Sequence, residues 1–369
     1  MVKHLRKTLL STLILLALTP YGSSACAGIV FDYSHDTFFA SNATAKAALE
    51  AAAGDINAVI KTVLTEITTA QDTITGTNAS ATATFDHSVS YTNPTTGGSE
   101  TFDPVALAAG EVKIFTGMRN LLGTTLGLGG PGAVEFSASG SFTSAADFPG
   151  AVTDAETQAN TIYGRGGGPI ISNLSGSFGL GDSYDINYGS TIGNLWFDSD
   201  TDNDGDFDTT SELAASWHFD HTTSVAAEKD DFYSVALHEI LHAIGFGTAD
   251  SWDDLVSGTN WTGSQVIALV GSGTGLVDSG GGHVAEEIMS TRISDGVAQE
   301  VVMDPTLTVG TRKELPVLDV AFLRDIGWST VPEPNSWALM SIAIAVTTVY
   351  RARQRQRRRK ADSCSQNAA

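Results

Sequence analysis

The stretch HEILHAIGFGT, His238 to Thr248, holds two histidines four residues apart, with a glutamate beside the first. On an α-helix, residues i and i+4 share a face, so His238 and His242 can offer two imidazoles to one ion. Glu239, rotated about 100° from His238, can reach a water on that ion. Zinc would lower the pKa of such a water to about 7, and the carboxylate would take its proton as it attacks a carbonyl. The chemistry needs three protein ligands and one open position. Two buried histidines satisfied by backbone carbonyls are the competing reading of the same pair.

The third ligand is not adjacent. In the commonest extended form of the motif a third histidine follows the glycine by three residues, and here Thr248, a poor zinc ligand, occupies that position. Of the other histidines, His4 lies in the leading segment, His35 and His87 lie far upstream beside strands or turns, and His218 and His221 precede the helix in WHFDHTT. His283 follows a glycine-rich bend, SGGGHVAEE, downstream of the helix. Sites of this type draw their third ligand from that side, so His283 leads, with Asp250, Asp253, Asp254, Glu286 and Glu287 as competitors.

A second constellation stands upstream in FDSDTDNDGDFD. Asp200, Asp202 and Asp204 alternate, Gly205 permits a sharp turn, Asp206 offers a backbone carbonyl and Asp208 a side chain. This is the front half of an EF-hand-type calcium loop over residues 200–211. The glutamate expected at the twelfth position is replaced by Ser211, with Glu212 one step late. A solvated acidic turn is the alternative.

The elements that must position these residues read as α+β. From Ser41 to Thr69 apolar residues recur at spacings of three and four, which predicts a long helix. From about Ala81 to Asp231 the texture is Gly, Ser and Thr with short alternating runs, TATFDHSVSYT, EVKIFTGMRNL, AVEFSASGSF and NLWFD, read as strands. A helix follows over 231–244, capped by Asp230 or Asp231 and stopped at Gly245. ELPVLDVAFLRDIGW predicts a last short helix.

Both ends read as addresses. Lys3, Arg6 and Lys7 precede an apolar run from Leu9 to Leu18, and Ala25-Cys26-Ala27 supplies small residues, so residues 1–27 are expected to be a secretory signal peptide. At the far end Val331-Pro332-Glu333-Pro334 precedes SWALMSIAIAVTTVY and then RARQRQRRRK. That order predicts a transmembrane segment with a cytoplasmic basic tail, and hence an exported protein of the cell envelope or the extracellular space. Three of the 20 basic residues lie before Leu9 and seven after Tyr350, leaving ten against 41 acidic ones, a net charge near −31. Such a body repels nucleic acid and favours divalent cations. The two cysteines, Cys26 and Cys364, both sit in the terminal segments. No G-x-S-x-G elbow and no G-x-x-x-x-G-K phosphate loop occurs.

HEILHAIGFG, an insertion, a lone His283 and then VVMDP resemble the metzincin metalloproteases, most of all the leishmanolysin-like branch. The resemblance covers residues 230 to 328. It implies a zincin-like fold, with a backing helix, a twisted mixed sheet, a central HExxH helix and a loop-rich C-terminal subdomain ending in a helix. It also implies a methionine turn beneath the metal, matched by Met303, with Met289 as the weaker match. The divisions that follow are a subdomain over 28–245, another over 246–330 and a terminal signal over 331–360. That terminal signal resembles the PEP-CTERM type, which implies processing near Pro332 by a sorting protease of the inner membrane. The expected function is zinc-dependent endopeptidase action on protein or peptide substrates, with His238, His242 and His283 on zinc and Glu239 as general base. Two alternatives stand: a catalytically idle calcium-binding surface or matrix protein on the same scaffold, and hydrolysis of a different amide such as a cell-wall cross-link. No tyrosine between Met303 and Trp328 is placed to stabilise an oxyanion.

Overall fold

A mixed sheet carries the helix that holds the histidine pair. The computed structural model describes residues 25–68, 71–179 and 182–331. In chain order the strands discussed are β1 (Gly28–Asp32), β2 (Thr73–Asn78), β3 (Ala81–Thr92), β4 (Ser99–Phe102), β5 (Glu111–Arg119), β6 (Gly127–Pro131), β7 (Ala133–Phe142), β8 (Ser172–Gly176), β9 (Tyr184–Tyr188) and β10 (Ile192–Asp198). The helices are α1 (Phe38–Ser41), α2 (Ala43–Val59), α3 (Phe148–Tyr163), α4 (Thr210–Ser216), α5 (Phe232–Ala243), α6 (Asp250–Asp253), α7 (Ser264–Val270) and α8 (Val317–Asp325). The α+β class expected from the sequence is what these elements form.

The first sheet runs β1-β5-β10-β6, with β1, β5 and β10 parallel and β6 antiparallel at the edge. All seven residues of β10, IGNLWFD, are buried, the composition of a strand covered on both faces. On one face Leu195 and Phe197 join the core built with α2 and α5. On the other, Asn194 accepts a hydrogen bond from the Thr92 amide at 2.9 Å, tying the sheet to β3. The second sheet centres on β3, flanked by β2 and β4 and by β7, and α3 packs on it. One hydrophobic core runs from Ala27 to Trp328, so the chain before and after Gly245 shares it.

Helix α2 begins where Asn42 accepts from the Ala45 amide at 3.0 Å. It ends at Val59, short of the expected Thr69, because TVLTEITT is dense in β-branched residues that prefer extended backbone. Ile60, Val63 and Ile67 instead form isolated bridges to Thr330, Cys26 and Leu107. Helix α3 was not anticipated from its threonine-rich sequence. Beyond it, Arg165 is wholly buried, and among the described residues no carboxylate forms a salt bridge with it. Its guanidinium donates to the carbonyls of Thr65, Glu111, Ser190 and Ala108 and so gathers three segments of chain.

The expected localisation requires a correction. Among the described residues no helix is long and apolar enough to cross a membrane. The longest, α2 with 17 residues, falls short of the about 20 that a span needs. The stretch read as a C-terminal membrane span and the sorting signal after Val331 lie outside the described residues, as do residues 1–24 and Cys364. The described chain opens with Ala27 packed in the core, its amide donating to the Thr62 carbonyl at 2.6 Å.

His87, on β3, faces Tyr163 and Tyr188, with ring centroids at 3.7 and 5.6 Å, and its Nδ1 donates to the Asp72 carbonyl at 2.8 Å. Burial pushes its pKa down to about 4, against the Asp72 hydrogen bond and the Asp86 charge, which pull it up. The unfolded chain therefore binds this proton more readily. The contribution is complete above the ordinary value of 6.5 and is lost as pH falls toward about 4. Relative to a His87→Phe chain, the wild type should lose about 3 kcal/mol of unfolding free energy over that range. Urea unfolding at stepped pH measures it, and parallel curves for the two chains would refute it.

Candidate metal centre

Helix α5 starts at Asp231, wholly buried, whose carboxylate accepts from the Ser234 amide at 3.1 Å and pairs with Arg312 at 2.6 Å. Eleven of its twelve residues are buried, as befits a helix walled in by α2 and the strands β6 and β10. At its end Phe246 donates its amide to the Leu241 carbonyl at 3.0 Å, a closing pattern that needs a left-handed residue between them. Gly245, at φ +109°, supplies it. The reversal turns the Phe246 carbonyl back onto the helix, where it accepts from His242 Nδ1 at 2.8 Å. Thr248, standing where a third ligand was sought, instead donates its hydroxyl to the His242 carbonyl at 2.7 Å.

His238 Nδ1 is tied off in the same way, against the Val302 carbonyl at 2.8 Å. A carbonyl only accepts, so both rings carry their proton on Nδ1 and turn an Nε2 lone pair outward. These Nε2 atoms lie 3.1 Å apart, and His283 Nε2 lies 3.0 Å from that of His242. Two unprotonated nitrogens at that distance repel unless a cation sits between them. Nitrogens about 2.0–2.1 Å from a common ion in tetrahedral array are separated by slightly more than 3 Å. The donor set and spacing therefore fit a divalent ion, zinc above all. Burial lowers the pKa of all three rings, His242 to about 4, so they are the neutral imidazoles that a metal requires.

The loop bearing His283 arrives by a close backbone approach. A Cβ on Gly247 would lie 1.9 Å from the Gly282 carbonyl oxygen, so only glycine admits this loop. Buried Trp252 donates its indole N–H to the Gly281 carbonyl at 2.7 Å, and Asp278 accepts from the His283 amide at 3.0 Å. The competing carboxylates go elsewhere. Asp250, Asp253 and Asp254 line a cleft of about 500 Å³ with Asn173 and Asn187. Glu286 and Glu287 do not join the histidines. His35 bonds Tyr91, His218 lies by Thr223, and His221 stacks on Tyr233.

Met303 is wholly buried beside the site, whereas Met289 is 57% exposed on a hairpin. The Met303 carbonyl accepts from Val284, next to His283, at 2.9 Å, and the preceding Val302 carbonyl holds His238. This turn is fastened from below by Asp319 of α8, whose carboxylate accepts from the Val302 amide at 2.7 Å. Burial pushes Asp319 up to about 7, against the pull of the Val302 and Met303 amides and Lys313. Glu239 is buried with its carboxyl against the edge strand β6. A Cβ on Gly127 would lie 2.8 Å from its Cγ, and one on Gly129 would lie 2.2 Å from its carbonyl oxygen. Burial raises Glu239 to about 8, while the Gly129 amide pulls it down.

In the acidic loop, Asp200, Asp202 and Asp208 come within 4.8 Å of one another. The Asp204 carboxylate is not in that group; the Asp204 and Gly205 amides fold back onto Asp200, both at 3.0 Å, and Asp204 accepts from the Asp206 amide. Asp200 and Asp208 are 0% and 7% exposed, and among the described residues no basic side chain pairs with either.

No family model, no curated protein and no solved structure matches this chain.

Asp319, Asp278 and Trp252 escaped the sequence reading, since none belongs to a motif and each acts through a backbone group brought near by folding. Asp319→Ala should weaken zinc binding about 10- to 100-fold, as loss of support behind a ligand does. Asp319→Asn, which keeps an acceptor, should stay near wild type. Chelator competition measures both, and an unchanged affinity in the alanine chain would remove Asp319 from this role.

Proposed function

We propose that the protein is a zinc-dependent endopeptidase of the metzincin type, in which His238, His242 and His283 hold the metal and Glu239 is the general base. The observation that carries this reading is the meeting of unprotonated Nε2 atoms beside a buried carboxyl and an open sheet edge. Zinc, when bound, supplies a Lewis acid that polarises a carbonyl and makes a water acidic enough to be deprotonated near neutral pH. Glu239 takes that proton as the water attacks, and a divalent charge nearby favours the carboxylate form this step needs. Glu239 then hands the proton to the departing amine. Among the described residues β6 pairs with β10 along one side, and its other side, apart from the Gly129 amide bonded to Glu239, has no strand partner, so an extended peptide can add there and lie across Glu239.

Glu239→Ala should leave zinc bound at one ion per chain and reduce casein cleavage about 10²- to 10⁴-fold. His283→Ala should lose the zinc as well as the activity. Elemental analysis beside a cleavage assay separates the two. Full activity in the Glu239→Ala chain would discard the mechanism.

Calcium in the acidic loop is the second part of the proposal, supported by buried Asp200 and Asp208 with no basic partner. Saturating calcium should raise the melting temperature by about 5 °C, the effect of a ligand at some hundredfold its Kd. Asp200→Ala should abolish that rise. If calcium stabilises the wild-type chain while no zinc binds and no peptide is cut, the catalytically idle calcium protein is the right reading instead.

A further inference from the structure

The edge strand against Glu239 does not end where its sheet ends. After the five residues of β6 the chain passes through Gly132 directly into the ten residues of β7 and into the second sheet. Gly132 makes the crossing possible. Its amide donates to the Ile192 carbonyl at 2.8 Å, and a Cβ there would lie 2.6 Å from Ile192 Cγ1 and 3.0 Å from the Ser90 carbonyl. Among the described residues β6 pairs only with β10 and β7 only with β3, over Ala133 to Phe142. No other backbone hydrogen bond reaches Ala133–Phe142. One ribbon thus leads away from Glu239 with its second edge unpaired over about 30 Å of β7.

An edge of that length is a hazard that proteins normally blunt with lysine, proline or a bulge. Here AVEFSASGSF carries a single charge, Glu135, and no lysine or proline. Its outward side chains at Ala133, Ser137, Ser139 and Ser141 are small and exposed, while Val134, Phe136 and Ala138 pack inward. Small residues leave the flank open to any side chain an added strand would bring. The edge is built to be paired, and it starts at the reacting centre.

We propose that β7 continues the substrate groove. A chain that adds to β6 at Glu239 runs on along β7 as a further strand, so the enzyme selects unstructured polypeptide for its extended backbone. The recognised stretch lies on one side of the scissile bond and spans about ten residues. This rests on the endopeptidase reading for the placement of the scissile bond, while its own test reads binding.

Zinc-loaded Glu239→Ala chain is mixed with an unstructured casein peptide of about twenty residues, long enough to cover both strands, and amide hydrogen exchange is followed. The expected result is slowed exchange through both Gly127–Pro131 and Ala133–Phe142. Two N-methylated versions of the peptide, blocked at alternate amides, should differ in affinity by about tenfold or more, since only alternate amides of an added strand face the edge. Protection confined to Gly127–Pro131, or equal binding of the two methylated peptides, would overturn the proposal. So would protection of β7 without peptide in a chain that sediments as a dimer, which makes a second copy the occupant. Failure of the wild type to cut any peptide would count against the endopeptidase reading alone, because the exchange pattern is scored without turnover.

Discussion

Two hydrogen bonds decide what this centre can be: His238 Nδ1 to the Val302 carbonyl and His242 Nδ1 to the Phe246 carbonyl, both 2.8 Å. Each fixes a tautomer, and together they aim two lone pairs at one point. Without those carbonyls the rings could share a proton between them, as a buried histidine pair in an ordinary core would do. With them, the pair turns two acceptor nitrogens toward one point, an arrangement that suits a cation. Lone-pair opposition costs folding energy, so any ion held there would stabilise the fold as it bound.

The carbonyls are themselves held, each by a different part of the chain. Phe246 is turned back by Gly245, the residue that ends α5. Val302 is held by Asp319 of α8, and the next carbonyl, Met303, receives the amide beside His283. His283 comes in on a loop pinned by Trp252 and Asp278. Wholly buried Phe246, Trp252 and Phe322 pack together under this arrangement, with Trp261 alongside, and give it a rigid floor. A displacement of α8 would reach His238 through only two hydrogen bonds, from Asp319 to Val302 and from Val302 to the ring.

What could be read in advance followed local periodicity and fixed spacing. The i, i+4 histidines, the Asp231 cap and the Gly245 stop are local, and all three lie where the sequence put them. His283 was selected by chemistry and chain order, and folding brings it to the other two. The limits are equally physical. In α3 the buried face is Phe148, Ala151, Val152, Ala155, Ala159 and Tyr163, mostly small residues that register weakly as apolar. Its Thr157 and Thr161 hydroxyls are satisfied by carbonyls four residues back, a device invisible before the helix exists. Past Val59 the apolar spacing of α2 continues, but Ile60 and Ile67 are buried from extended backbone, where helical and strand periods both fit so short a run. Spacing makes the Asp204 side chain look like a ligand, yet its carboxylate stands outside the Asp200, Asp202 and Asp208 group and accepts from the Asp206 amide instead.

The acidic loop and the edge strand are mechanically one unit. The segment between β5 and β6 is laced to that loop: Leu121 donates its amide to Asp198 at 3.0 Å, Asn120 donates its side chain to Asp200, and Asn203 exchanges two hydrogen bonds with Gly123 at 2.6 and 3.0 Å. The Leu126 carbonyl, one residue before β6, accepts from the Asp198 amide at 2.9 Å. Asp198, Asp200 and Asp208 are nine-tenths buried or more, and crowding three carboxylates there is unfavourable unless something neutralises them. Asp198 holds the Leu121 amide and Asp200 the Asn120 side chain, and these bonds help fix where β6 begins. Since Gly127 and Gly129 of β6 lie against Glu239, the acidic loop bears, through the 120–126 segment, on the wall against which that buried carboxyl is set.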